Sequence, residues 1–243
     1  MSDISKLGSI LGIWAHPDDE TFSSAGIMTQ AADNKQRVAI INASHGEAGK
    51  WDSERFPGSS AKEVRLRELI NALHIIGVTE RHNLGCKDGE LDSYDRESMV
   101  TRITKIIDDF KPDTILTFGP DGITGHSDHR TIHTWATKAA HRANSNPLVL
   151  CTVQDQNSYN DHTRELDKEH NLYFAIDHPV LYKDNEIDHL FHLPRTITNR
   201  KYAALKAHAS QTTDMIQGMG EENFKRMIRR ETFVNLNKVK PFL

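Results

Sequence analysis

The chain has 243 residues, 37% hydrophobic and 26% charged, with a net charge of −4, enough for a full hydrophobic core at the upper end of the single-domain range. So mild an acidity gives no basic field for nucleic acid or an anionic membrane, and no apolar run approaches the ~20 residues that span a bilayer. Two separated cysteines, Cys86 and Cys151, exclude a disulfide framework and fit a reducing, cytoplasmic setting.

Taken in chain order, the first apolar run is "SILGIW" (9–14). A signal-peptide reading of 7–15 fails, because cleavage at Ala15 would remove this strand. Further β-branched runs follow at 37–43, 113–118 and 147–153, and their near-continuous hydrophobicity suits strands buried on both faces of a parallel sheet. Between them, Leu66, Leu69, Ile70, Leu73 and Ile76 have helical spacing. So do Val100, Ile103, Ile106, Ile107 and Phe110, a helix that Pro112 ends. A third helix is expected from about Asp128 through Ile132, Trp135, Ala136 and Ala139. The alternation predicts an α/β, doubly wound fold, a mostly parallel sheet with helices on both faces. From about 154 to 193 the pattern loosens into a polar surface excursion with short strands at "LYFAI" and "HLFHL"; helices are expected over 199–211 and 221–230. With no repeat and no long linker, residues 1–243 read as one domain.

In such a sheet, ligands gather beyond the carboxyl ends of the strands. Three of those ends are unusually polar: "AHPDDE" (15–20), "SHGEAG" (44–49) and "GPDGITGHSDHR" (119–130). One sheet edge would collect His16, Asp18, Asp19, Glu47, His126, Asp128 and His129. Buried charge at this density calls for a neutralising cation. His16 and Asp19, three apart around Pro17, can aim at one ion, and His126 or His129 supplies the third ligand. Two histidines and a carboxylate leave an open position for water on zinc.

"AHPDDE" together with "GHSDH" (125–129) resembles the LmbE-like, or PIG-L, family of zinc-dependent N-deacetylases. "SHGEAG", "RLRE" (65–68), "KDGEL" (87–91) and "ALKAHASQ" (204–211) match in the family's order, so the resemblance runs to about Gln211. It implies a Rossmann-like fold and removal of the acetyl group from an N-acetylglucosamine-type amino sugar or glycoside. It also implies one Zn2+ per chain, other divalent metals being open, on His16, Asp19 and His129. Asp18 becomes the general base towards the metal-bound water. His126 becomes the acid and oxyanion partner, protonated and oriented by Asp128. Glu47, Arg65 and Asp88 are expected to contact substrate hydroxyls. The partner is then a small amino-sugar molecule, with no nucleic acid and no membrane span, and a homo-oligomer is left open.

Plainer readings stand beside these. "HPDDE" also suits a helix N-terminal turn capped by Asp18 or Asp19. Arg65 and Glu68 could be a surface pair, and Asp88-Gly89 a turn. His208 and Gln211 fit helix packing or a contact behind the site better than catalysis. The competing functions are an amidase on a non-acetyl amide, a non-haem iron oxygenase using the same donor set, and a non-catalytic sugar-binding module.

Overall fold

The computed structural model describes residues 3–49 and 51–242, apart from the side chain of His162. Five strands run parallel: β1 (Ile10–Trp14), β2 (Val38–Asn42), β3 (Glu80–Asn83), β4 (Thr114–Phe118) and β5 (Leu148–Thr152). A two-residue parallel pair, β6 (Gln154–Asp155) and β7 (Leu181–Tyr182), forms a separate small sheet. Two more strands, β8 (His189–His192) and β9 (Arg230–Asn235), complete the main sheet by antiparallel pairing, β9 against β5 and β8 against β9. The order is β3-β2-β1-β4-β5-β9-β8. β1, β2 and β4 are buried along their whole length, as their apolar runs require. β3 is half-exposed at the edge, and its polar sequence, Glu80 to Asn83, gave no strand signal.

The crossovers are α1 (Asp19–Asp33), α2 (Ala61–Ile76), α3 (Arg96–Phe110) and α4 (Ser127–Arg142). Local chemistry sets their ends. A Ser60–Glu63 capping box starts α2, and Gly77 closes it at φ 82°. The Asp95 side chain accepts from Ser98 N to start α3. Right-handed connections put α1 and α2 on one face and α3 and α4 on the other. β1 pairs with β2 on one side and β4 on the other. The winding reverses between β1 and β4, so a crevice opens at their carboxyl ends.

The second half departs from the expected pattern in two places. Residues 172–176 form turns rather than a strand: the Tyr173 ring is buried, its hydroxyl bonds Gln154 Oε1, and Ala175 N donates to Thr124 O. Backbone and side chain are thereby committed to the crevice rather than to a sheet. The excursion before it is helical, as α5 (Gln156–Ser158), a π turn (Tyr159–Thr163) and α6 (Arg164–His170). The helix expected over 199–211 is two, α7 (Arg195–Ala207) and α8 (Ala209–Met219), followed by α9 (Glu221–Ile228). The break falls at His208 (φ −81°, ψ 49°), whose fully buried ring turns inward towards Thr21 and Glu20.

Candidate metal centre and active site

β1 ends in the turn His16-Pro17-Asp18, and α1 begins at Asp19. Asp18 stands at the N-cap position but makes no side-chain cap; its φ of 110° is unusual for a residue with a Cβ. Glu20, fully buried, lies beneath the turn, facing Asp18 N, Thr21 Oγ1 and Asn42 Nδ2. Asp18 thus occupies the helix-start position of "HPDDE" without capping α1 through its side chain.

His16, Asp19 and His129 are buried and bring one donor atom each within 4.8 Å of one another. Their tautomers follow from partners that can only accept. His16 Nε2 faces Asp88 Oδ1 at 2.9 Å and Asp128 Oδ2 at 3.1 Å, so it carries the hydrogen. His129 Nδ1 does the same towards Gly122 O at 2.9 Å. The two remaining lone pairs, His16 Nδ1 and His129 Nε2, face each other at 3.3 Å. Asp19 lies beside both, with Oδ1 3.3 Å from His129 Nε2 and Oδ2 3.5 Å from His16 Nδ1. Without a proton or a cation between them this arrangement is repulsive. The protein alone answers with a proton. Burial opposes a charged His16, but Asp128, Asp19 and Asp88 hold its pKa well above the ordinary value. Burial opposes a charged Asp19 as well, yet His129 and His16 hold it well below the usual carboxylate range. Two nitrogens and a carboxylate with fixed tautomers fit a divalent cation of the zinc type.

Asp18 is not in that donor set. Its Oδ2 pairs with Arg65 Nη2 at 3.0 Å, and Arg65 also donates to Gly46 O and Pro17 O. Burial lifts the Asp18 pKa to about 6, against the opposing pull of Arg65. Arg65 is only 4% exposed, and Glu68 accepts from Ser210 N at 2.7 Å, so the two are not a surface pair.

His126 caps α4, with Nδ1 accepting from Asp128 N at 3.1 Å. This corrects the expected protonated His126 oriented by the Asp128 carboxylate. An amide donating into Nδ1 favours the neutral ring with its hydrogen on Nε2, and burial together with the His129 and His16 rings pushes its pKa down. The Asp128 carboxylate is engaged elsewhere, accepting from His16 Nε2, from Gly89 N at 2.8 Å and from Leu91 N at 3.2 Å.

Two of the expected substrate contacts also have internal duties. Asp88, with its pKa lowered to about 2 despite burial by the His16 hydrogen bond, also accepts from Ala48 N. Glu47 accepts from His45 N in its own loop and from Asp88 N in the loop after β3. The lining of the cleft includes Arg65 and Asp88 but not Glu47. Sequence reasoning missed Gly122, whose φ of 68° lets its carbonyl meet His129, and Phe118, stacked under the His129 ring at 4.1 Å. The glycine-rich stretch 119–125 held the signal for the first.

The site opens into a cleft of about 600 Å³ that runs to Tyr173, Arg230 and the end of β5. Among the described residues, no helix is long and apolar enough to cross a membrane.

The profile of the family described as "PIG-L: GlcNAc-PI de-N-acetylase" matches residues 11–140, more than half of the chain and the whole segment from β1 into α4. The chain belongs to the PIG-L family. Among relatives, a 1D-myo-inositol 2-acetamido-2-deoxy-alpha-D-glucopyranoside deacetylase of Mycobacterium sp. (strain KMS) is 29% identical over 234 residues, covering 86% of this chain and 76% of its own. The N,N'-diacetylchitobiose deacetylase of Pyrococcus horikoshii shares the fold at a TM-score of 0.68 and 21% identity, over 97% of this chain and 88% of its own. A 4-carboxy-2-hydroxymuconate hydratase of Pseudomonas putida KT2440 shares it too, with a TM-score of 0.62 and 15% identity over 97% and 98% of the two chains. The PIG-L fold thus carries more than one chemistry, and the reaction has to be argued from the site.

Proposed function

We propose that the chain is a metal-dependent hydrolase that removes an N-acyl group, acetyl in the first instance, from a 2-amino sugar or its glycoside. The observation that carries this reading is the pair of facing lone pairs on His16 and His129, closed by Asp19, with an uncoordinated carboxylate one residue away. His16, Asp19 and His129 would hold the cation, zinc being the best match to the donors. When bound, it supplies Lewis acidity that polarises the scissile carbonyl and lowers the pKa of water.

The chain's own groups handle the protons. Asp18, ionised above about pH 6, accepts one from the attacking water, with Arg65 fixing its orientation. Neutral His126 offers Nε2–H to the developing oxyanion. As the carbon–nitrogen bond breaks, the proton held by Asp18 passes to the amine; the new carboxylic acid then gives up the other water proton, so that carboxylate and the protonated amino sugar leave. Asp88 and Asp128 orient His16, and Gly122 O orients His129. The amino-sugar substrate draws its support from the mycobacterial relative.

Purified protein loaded with zinc, incubated with N-acetylglucosamine and its glycosides, should release acetate and primary amine in equal amounts. A metal-loaded protein that releases neither from any sugar amide would refute the reading.

A further inference from the structure

His208 is fully buried at the break between α7 and α8, outside the lining of the cleft. Its Nε2 lies 3.1 Å from Thr21 Oγ1, and that hydroxyl lies 2.7 Å from Glu20 Oε1. Besides Thr21 Oγ1, the Glu20 carboxylate faces Asn42 Nδ2 at 3.1 Å and the Asp18 amide at 3.3 Å. Among such donors it only accepts, so the single hydrogen of the Thr21 hydroxyl goes to Glu20 and a lone pair turns to His208. His208 Nε2 therefore carries a hydrogen. One run of hydrogen bonds leads from His208 through Thr21 to Glu20, and the Asp18 amide closes it.

Packing alone does not account for this imidazole. Its Nδ1 is buried without a hydrogen-bond partner among the described residues, a cost that an apolar side chain of similar size would not carry. The run also ends on the residue whose backbone stands at φ 110°, a conformation that persists only where its surroundings over-determine it. The junction that presents His208 is itself fixed, since Glu68 of α2 accepts from Ser210 N at 2.7 Å and from Ser210 Oγ at 2.6 Å. The same helix carries Arg65, which pairs with the Asp18 carboxylate at 3.0 Å. Asp18 is thus held at its side chain from α2 and at its amide from the α7–α8 junction.

We propose that His208 is a positioning residue for Asp18: through Thr21 and Glu20 it fixes the Asp18 peptide in the conformation that keeps the carboxylate beside Arg65 and out of the donor set. The proposal rests on the hydrolase reading for what Asp18 does there, and not for whether His208 holds it.

Two measurements on the full chain test it, and the first needs no substrate. His208→Leu fills the place without a donor, and Thr21→Val cuts the same run one step further on. In 15N-labelled protein, either change should speed hydrogen exchange at the Asp18 amide by about fivefold or more relative to the Ile13 and Ile40 amides of the sheet. His208→Gln, which keeps an N–H donor, should stay near the parent. Where His208→Leu does not fold, Thr21→Val reads the same run. The second measurement uses zinc-loaded enzyme and N-acetylglucosamine glycosides. Both variants should lose about tenfold in kcat, with KM and zinc affinity kept within about twofold, and His208→Gln should recover most of the loss. In an Asp18→Asn background the same substitutions should change the rate by less than about twofold, because the base they position is gone. A loss that persists in full in Asp18→Asn, or an Asp18 amide that exchanges as in the parent in both variants, would overturn the proposal. If the parent cleaves no amide at all, the hydrolase reading fails and exchange at Asp18 alone decides whether His208 holds it.

Discussion

Asp128→Asn separates two accounts of the same carboxylate. If Asp128 works through His126, its loss alters protonation at His126 and leaves the metal in place. The structure instead puts the carboxylate on His16 Nε2 and on the amides of Gly89 and Leu91. The two amides donate to different oxygens, so an asparagine in either orientation turns its NH2 towards an N–H donor. An unsatisfied buried group of this kind costs about 1–3 kcal/mol, which in a chain of this size lowers Tm by roughly 2–12 °C. The larger effect is on the metal. Losing a carboxylate behind a ligating histidine weakens binding about 10–100-fold. Asp88 still holds His16 Nε2 at 2.9 Å, so the single variant should fall near the lower end, and Asp88→Asn/Asp128→Asn together well beyond it. Competition against a chelator of known affinity measures this directly. Unchanged zinc affinity in Asp128→Asn, with only its pH–rate profile altered, would refute the assignment and restore His126 as the partner.

Three further predictions follow from the same geometry. Asp18→Asn should keep its zinc while turnover drops about 10²–10⁴-fold; a metal-free variant would make Asp18 a ligand. The parent's kcat/KM should fall roughly tenfold per pH unit below about pH 6, where the raised pKa of Asp18 leaves the base protonated. Arg65→Ala removes a charge that lowers that pKa, so the acid limb should move to higher pH, and an unmoved limb would show that another group titrates there. Gly122→Ala would place a Cβ 2.7 Å from His129 Cβ on a backbone at φ 68°; zinc affinity and Tm should both fall, and a variant matching the parent in both would show that this turn does not hold His129.

The parallel half of the fold was legible because β1, β2 and β4 are buried throughout, and full burial leaves a continuous apolar run in the sequence. The donor set was legible because strand ends are where such sheets collect ligands. β3 escaped because an edge strand needs no apolar pattern, and residues 172–176 misled because Leu172 and Tyr173 are apolar for the sake of the cleft. The duties of Asp88, Asp128 and Glu47 were not readable at all. A carboxylate facing a substrate and one facing a buried imidazole leave the same letter in the sequence, and only the distances to His16 Nε2 separate them.

Those distances also explain why a buried strand should end in three consecutive acids. Each has its own partner. Asp18 pairs with Arg65, Asp19 lies beside both histidines, and Glu20 turns under the chain to Asn42, Thr21 and His208. The remaining imbalance lies around His16, where Asp19, Asp88 and Asp128 all converge on one imidazole. One proton on His16 neutralises only part of that charge, and burial makes the remainder costly. A divalent cation held, as proposed, by His16, Asp19 and His129 would offset more of it and take the place of the proton that the two facing nitrogens otherwise have to share. The turn that creates the imbalance is held at an unfavourable φ at Asp18, which keeps that carboxylate beside Arg65 and out of the donor set. The local cost in backbone and in buried charge is therefore concentrated where a cation bound as proposed would offset it.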